Sequence, residues 1–174
     1  MLVAMTAVIK PLREVDIPLL AAAFASLGWP GKDTAQFRGY LEQQERDVRP
    51  VRVAWVDGHF AGYVTVAWQG HYDPFRTAGI PEIQDLNVVP EFRRRGIGSA
   101  LMDEAEALIA TRSRIVGLGV GLYTDYGPAQ AMYVRRGYVP DARGAVFDYA
   151  PIAPGAQVRL DDDLVLMMTR DLDS

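Results

Sequence analysis

The stretch VVPEFRRRGIGSALMDEAEALI, residues 88–109, decides how the rest of the chain reads. An extended segment stops at Pro90, three arginines run into Gly96-Ile97-Gly98, and an apolar-periodic segment begins at once. Like charges at Arg93, Arg94 and Arg95 repel one another unless an anion sits among them or water solvates each head. Glycines let a backbone approach closely, and the first N–H groups of a helix have no intrahelical acceptor. Strand, glycine turn and helix together make an anion cradle, with arginines at the rim for charge-assisted hydrogen bonds. A tight strand-to-helix turn with solvated arginines satisfies the same spacing. Two other phosphate fingerprints fail: no Lys-Ser/Thr follows Gly98, as a P-loop requires, and Leu101 stands where the dinucleotide motif needs its third glycine.

Working outward, the chain has 174 residues, 49% apolar and 23% charged, which suits one soluble globular domain over 1–174 with a sizeable core. Eighteen basic against 22 acidic side chains give a net charge of −4, which argues against sequence-independent nucleic-acid binding. With no cysteine, disulfides, thiolate zinc sites and a cysteine nucleophile are excluded. Only His59 and His71 supply imidazole, so no metal site is expected. The opening MLVAMTAVIKPL lacks the basic leader of a signal peptide, and Met5 is a second candidate start. No apolar run reaches the roughly 20 residues that cross a bilayer. The expectation is a cytoplasmic protein without membrane contact.

Residues 7–12 read as a strand, 14–28 as a helix closed by Gly28, and 32–47 as a helix capped by Asp33 or Thr34. A hairpin over 51–70 turns at Asp57-Gly58, and an aromatic loop fills 71–81. Residues 82–89 form a strand, 98–112 an amphipathic helix and 114–124 a strand with Gly117, Gly119 and Gly121 on one face. A short helix at 127–137 and strands near 138–149 and 163–172 finish the chain, with Asp161, Asp162 and Asp163 as a solvated turn. The order β-α-α-β-β-β-α-β-α-β-β implies an α/β protein with a mixed sheet.

Arg93-Arg94-Arg95-Gly96-Ile97-Gly98 resembles the Q/R-x-x-G-x-G/A motif of the GNAT superfamily, the acyl-CoA-dependent N-acetyltransferases. DLNVVPEFR, which precedes it, looks like the usual lead-in strand. AQAMYVRRGY, 129–138, looks like the family's A-x-x-L-Y-x-x-x-G-F/Y helix, with Met132 in place of leucine. The element order matches as well. The resemblance implies a GNAT fold: a mixed, mostly antiparallel sheet of six to seven strands, about four helices, and central strands splayed for CoA. It implies acetyl-CoA as co-substrate and transfer of its acetyl group to a primary amine by direct attack in a ternary complex. Backbone amides of Arg94, Arg95, Gly96, Ile97, Gly98 and Ser99 would hold the pyrophosphate beside Arg93, and main-chain groups at Leu86 and Val88 would pair with pantetheine.

Such a transfer needs a base for the ammonium and an acid for the departing thiolate. Tyr133 aligns with the family's tyrosine acid, and an ordinary phenol, with a pKa near 10, stays protonated at neutral pH. The other reading is a helix tyrosine packed on the sheet. Glu82 stands where some relatives carry a glutamate base, and Asp85 is the alternative, or a structural carboxylate. Counting by twos puts Glu82, Gln84, Leu86 and Val88 on one face and Asp85 and Asn87 on the other. Relatives often carry asparagine seven residues before the tyrosine; Tyr126 stands there, so that cofactor contact does not carry over. The acceptor would enter past Trp29, Trp68, Tyr72 and Phe75 with Asp73 and Glu82, an aromatic and mildly acidic set that suits a cationic amine. Each of these also suits loop packing. The partners are then acetyl-CoA and an amine on a small molecule or protein, with no nucleic acid, and a homodimer stays open. A catalytically silent acyl-CoA-binding sensor is the competing function.

Overall fold

The structure, a computed structural model, describes residues 7–173. β1 (Val8–Pro11) leads through a 3-10 turn at Glu14–Asp16 into α1 (Ile17–Ser26). The buried Asp16 carboxylate accepts from the Arg13 amide at 3.1 Å and its guanidinium at 2.7 Å, which closes this helix entry. Gly28, at φ 67°, ends the segment in the left-handed conformation that glycine adopts without penalty. Asp33 caps α2 (Thr34–Glu45) by accepting from the Gln36 amide at 2.9 Å. β2 (Val51–Val56) and β3 (His59–Ala67) form the hairpin, and Asp57 and Gly58 both take positive φ, as a two-residue hairpin turn demands.

The segment expected as an aromatic loop instead contains α3 (Asp73–Ala78). Pro74 starts it and Gly79, at φ 66°, stops it. Six residues are too few to display a 3.6-residue period, so only these punctuation residues betray it. β4 (Glu82–Val88), α4 (Ile97–Ala110), β5 (Ile115–Gly121) and α5 (Gly127–Arg135) follow. β6 (Val139–Phe147), the two-residue β7 (Ala150–Pro151) and β8 (Leu164–Asp171) complete the chain.

The sheet has eight strands in the order β1-β2-β3-β4-β5-β8-β6-β7. β4 and β5 pair parallel, while β1–β2, β2–β3, β5–β8, β8–β6 and β6–β7 pair antiparallel. The architecture is the expected mixed, mostly antiparallel α/β sheet; β7 and α3 raise the element count above six to seven strands and four helices.

The chain divides into two compact units. One comprises the described residues up to Ala67 together with Asp85–Leu108. Its core is aromatic: Phe24 and Phe37 have no exposed surface, with ring centroids 6.0 Å apart, and Tyr63 meets both edge-on at 5.8 and 5.3 Å. The other unit comprises Trp68–Gln84 and the chain from Ile109 onward. Tyr72, Phe75, Val146 and Met167 form a core cluster there, with Ile80 and Val165 packed against it. The glycine face of β5 lies in this unit, and the protein's own side chains fill it. A Cβ at Gly117 would run into the Phe75 ring and one at Gly121 into the Tyr126 ring, while at Gly119 it would meet Met167 Sδ at 3.0 Å.

Candidate functional site

The arginine-glycine turn belongs to the first unit. Pro90 opens a single 3-10 turn through Phe92, which is 6% exposed and roots the segment. Arg94 at φ 59° and Gly96 at φ 81° then reverse the chain in left-handed geometry. The Ala100 amide bonds to the Gly96 carbonyl at 3.0 Å, so the Ile97, Gly98 and Ser99 amides lie in the first helical turn, where the helix supplies no acceptor. Ile97, Leu101, Met102, Ala105 and Ile109 are almost wholly buried and fix the helix that presents those amides. Around Gly96 nothing lies within 4 Å of where a Cβ would stand. The turn thus offers a positive helix end beside open space at Gly96, which fits a diphosphate.

Two of the three guanidinium groups have different anchors. Arg93 turns back: its Nε donates to the Val88 carbonyl at 3.0 Å and its head lies 5.6 Å from the Trp29 ring centre. Arg95 lies 5.7 Å from the Phe92 ring. Both contacts relieve repulsion at little desolvation cost, because all three arginines remain exposed. The Val88 carbonyl therefore already has one donor, and its second lone pair is the one a ligand could use. A cavity of about 330 Å³ lies beside this segment, lined by Ala23, Leu27, Phe60 and Val89 among others. None of the sequence-predicted site residues lines it.

β4 carries an irregularity that the strand pattern does not announce. Asp85 sits at φ 55° in the middle of the strand, a left-handed conformation that costs free energy unless its surroundings enforce it. Here they do. Lys32 Nζ donates to Oδ1 at 2.6 Å, Asn87 Nδ2 to Oδ1 at 2.7 Å and Tyr40 to Oδ2 at 2.9 Å, and the Tyr63 hydroxyl also donates to Oδ2. The ammonium of Lys32 lies 5.7 Å from the Phe24 ring and 5.5 Å from that of Tyr63. Burial alone would raise the Asp85 carboxyl, but the Lys32 charge and these hydrogen bonds outweigh it and hold it below the ordinary carboxylate value. Burial and the Asp85 charge push both tyrosines upward. Asp85 is a saturated structural carboxylate. The Asn87 side chain reaches the Asp85 carboxylate two residues away, which puts the two on one side of the strand, as counting by twos expects.

Glu82 and Tyr133 belong to the second unit. Glu82 is 3% exposed at the start of β4, where it pairs with Gly117 of β5 and Ile83 pairs with Leu118. Tyr133 is 7% exposed on α5, its ring 5.8 Å from that of Tyr138, and burial pushes its phenol up to about 12. Gly137, at φ 90°, ends α5 and lets the Tyr138 amide reach the Tyr133 carbonyl at 3.0 Å.

Tyr126 makes a contact of another kind than the asparagine it replaces. Its ring packs on Gly121 and its hydroxyl donates to Asp162 at 2.9 Å, with Tyr123 bonding the same oxygen at 2.5 Å. Burial and Asp162 raise its phenol. The aspartate run at 161–163 is therefore half of a clasp rather than merely a solvated turn. Of the proposed acceptor mouth, Tyr72 and Phe75 are 2% exposed and belong to the core, with Tyr72 donating to Asp141 at 2.7 Å. Asp73 pairs with Arg76, and Trp68 stacks under Arg112 at 4.1 Å. Lys32, Tyr40, Tyr63 and Gly70 were not foreseen; a buried tyrosine within an apolar strand was the available signal for Tyr63. Among the described residues no group of three or more His, Asp or Glu side chains could hold a metal ion, and no helix is long and apolar enough to cross a membrane.

Residues 18–138 match the acetyltransferase (GNAT) family. An uncharacterized N-acetyltransferase of Archaeoglobus fulgidus is 38% identical over 87 residues, 49% of this chain and 56% of the relative, so the match spans little more than half of that protein's length. Ribosomal-protein-alanine N-acetyltransferase from Brucella melitensis superposes with a TM-score of 0.70 at 21% identity, covering 95% of this chain and 99% of that one. The yncA structure from Salmonella typhimurium, solved with its cofactor acetyl-CoA, gives 0.69 at 16% identity, covering 97% and 95%. At these identities the two structures speak for the fold alone.

Proposed function

Because the chain belongs to the acetyltransferase (GNAT) family, we propose that it moves an acetyl group from acetyl-CoA to a primary amine. The observation that carries this reading is the turn at 94–99, where left-handed Arg94 and Gly96 lead straight into the N-terminus of α4. That helix end suits the pyrophosphate of CoA, with Leu86 and Val88 offering main-chain groups to the pantetheine arm. The Salmonella neighbour with acetyl-CoA supports the same choice of co-substrate.

Acetyl-CoA supplies an acyl carbon activated by its thioester; the remaining demands fall on the chain. In the transfer the amine nitrogen bonds to the carbonyl carbon, the carbon–sulfur bond breaks, and CoA leaves as thiol. Glu82 is the proposed base that removes the ammonium proton, directly or through a water. Tyr133 is the proposed acid: with its phenol pushed up to about 12, it holds a proton to give at neutral pH. No acyl-enzyme is needed, in keeping with a chain that has no cysteine.

The test is an acceptor screen: acetyl-CoA with an alanine-starting peptide, a lysine-containing peptide and a polyamine, read by free-thiol release. Transfer to one of them, abolished when the amine is blocked, is the expected result. A chain that binds acetyl-CoA yet transfers to none of these and releases no thiol would be an acyl-CoA sensor instead.

A further inference from the structure

We propose that Gly70 is a positioning residue for the Glu82 carboxylate, a role that rests on the reading of Glu82 as the base. Gly70 is buried and is not among the glycines with positive φ, so its backbone makes no demand for glycine. Space makes the demand. A Cβ at position 70 would overlap Glu82 Oε2 and would stand 3.3 Å from its Cδ and 3.4 Å from its Cβ. The carboxylate occupies the volume that any other residue's first side-chain carbon would take.

The two ends of Glu82 are therefore controlled differently. Its root is set by the sheet: Glu82 pairs with Gly117, and the Gly117 amide donates to the Pro81 carbonyl at 2.9 Å. Its tip is set by the missing side chain of Gly70. With 3% of the residue exposed, close packing leaves the tip little room to settle elsewhere. A methyl group at 70 pushes on the carboxylate end, which can rotate about its own side-chain bonds, rather than on the backbone. The fold should bear the change better than the chemistry does. A general base acts only within hydrogen-bond reach of its proton, and a misplacement on the order of 1 Å can cost about 100-fold.

The experiment compares Gly70→Ala, Glu82→Asp, the double variant and Glu82→Gln, using acetyl-CoA and an alanine-starting peptide or whichever amine the screen selects. Each variant is read by kcat, by the acid limb of its pH profile and by Tm. Gly70→Ala is expected to lower kcat about 10- to 100-fold and to move the acid limb, with acetyl-CoA still raising Tm as in wild type. Glu82→Asp withdraws the carboxylate by one methylene, so the double variant should be faster than Gly70→Ala alone and its Tm should approach that of Glu82→Asp. Should Gly70→Ala not fold, recovery of a folded double variant is the expected result. Wild-type kcat and acid limb in Gly70→Ala overturn the proposal, as does a double variant no better in rate or Tm than Gly70→Ala. Wild-type turnover in Glu82→Gln overturns the base itself. A slow Glu82→Gln beside a normal Gly70→Ala overturns only the role of Gly70.

Discussion

Tyr133→Phe keeps the ring on α5 and removes the one proton the residue can donate. Turnover per folded molecule should fall about 10²- to 10⁴-fold while acetyl-CoA affinity stays near wild type, measured together by thiol release and calorimetry. A hydroxyl that merely packs would lower Tm and leave the rate intact. The pH behaviour has a definite sign. Folding raises this phenol from 10 to about 12, so its contribution to stability is complete below pH 10 and disappears as pH rises through 12. Wild type should lose stability across that alkaline window more steeply than Tyr133→Phe. Gly96→Val adds a branched side chain at φ 81°, a conformation that β-branched residues resist. It should weaken acetyl-CoA at least tenfold, about 1.4 kcal/mol, and lower Tm as well. Unchanged affinity in a folded variant would leave the turn without its ligand.

Among the elements, β4 shows where sequence reading stops. Its ends were legible because Pro81 and Pro90 bracket an apolar-rich run, and the two hairpin strands were legible from Asp57-Gly58. The left-handed Asp85 was not, because the residues that enforce it, Lys32, Tyr40 and Tyr63, are distant in sequence and meet it only after folding. Asp85→Ala should cost about 3–5 kcal/mol in urea unfolding, since it leaves a partly buried ammonium without its carboxylate. Lys32→Met should cost less, because Tyr40, Tyr63 and Asn87 still satisfy the carboxylate. The carboxyl lies below its ordinary value in the fold, so its stabilisation is full above about pH 3.9 and is lost as pH falls through the depressed value. The gap between wild type and Asp85→Asn should therefore hold steady from pH 7 to about 5 and close in stronger acid.

For the molecule as a whole, acetyl-CoA should raise Tm, because a ligand bound only by the folded chain stabilises it by about 2.7 kcal/mol at 100 times its Kd. CoA should act nearly as well and adenosine hardly at all, since the diphosphate is what the turn is proposed to recognise. No shift at millimolar acetyl-CoA would remove the co-substrate from the account. The family and the glycine turn into α4 were legible in the sequence because both depend on local spacing: glycines two apart, and a tyrosine four residues before another glycine. The filling of the β5 glycine face by Phe75 and Tyr126, and the clasp on Asp162, were not, since no local pattern encodes which ring fills which gap.

The ion pair between Lys32 and Asp85 bears on self-modification. A catalyst that acylates amines risks acylating its own, and this chain carries only Lys10 and Lys32 beside sixteen arginines. Guanidinium groups hold their protons at any working pH and are poor nucleophiles, so an arginine-built turn can grip a reactive thioester without being consumed by it. The Lys32 ammonium shares its protons with Asp85 and Tyr63, and in that state it has no lone pair to attack with. The same contact that holds Asp85 in its left-handed conformation would keep this lysine out of the proposed chemistry.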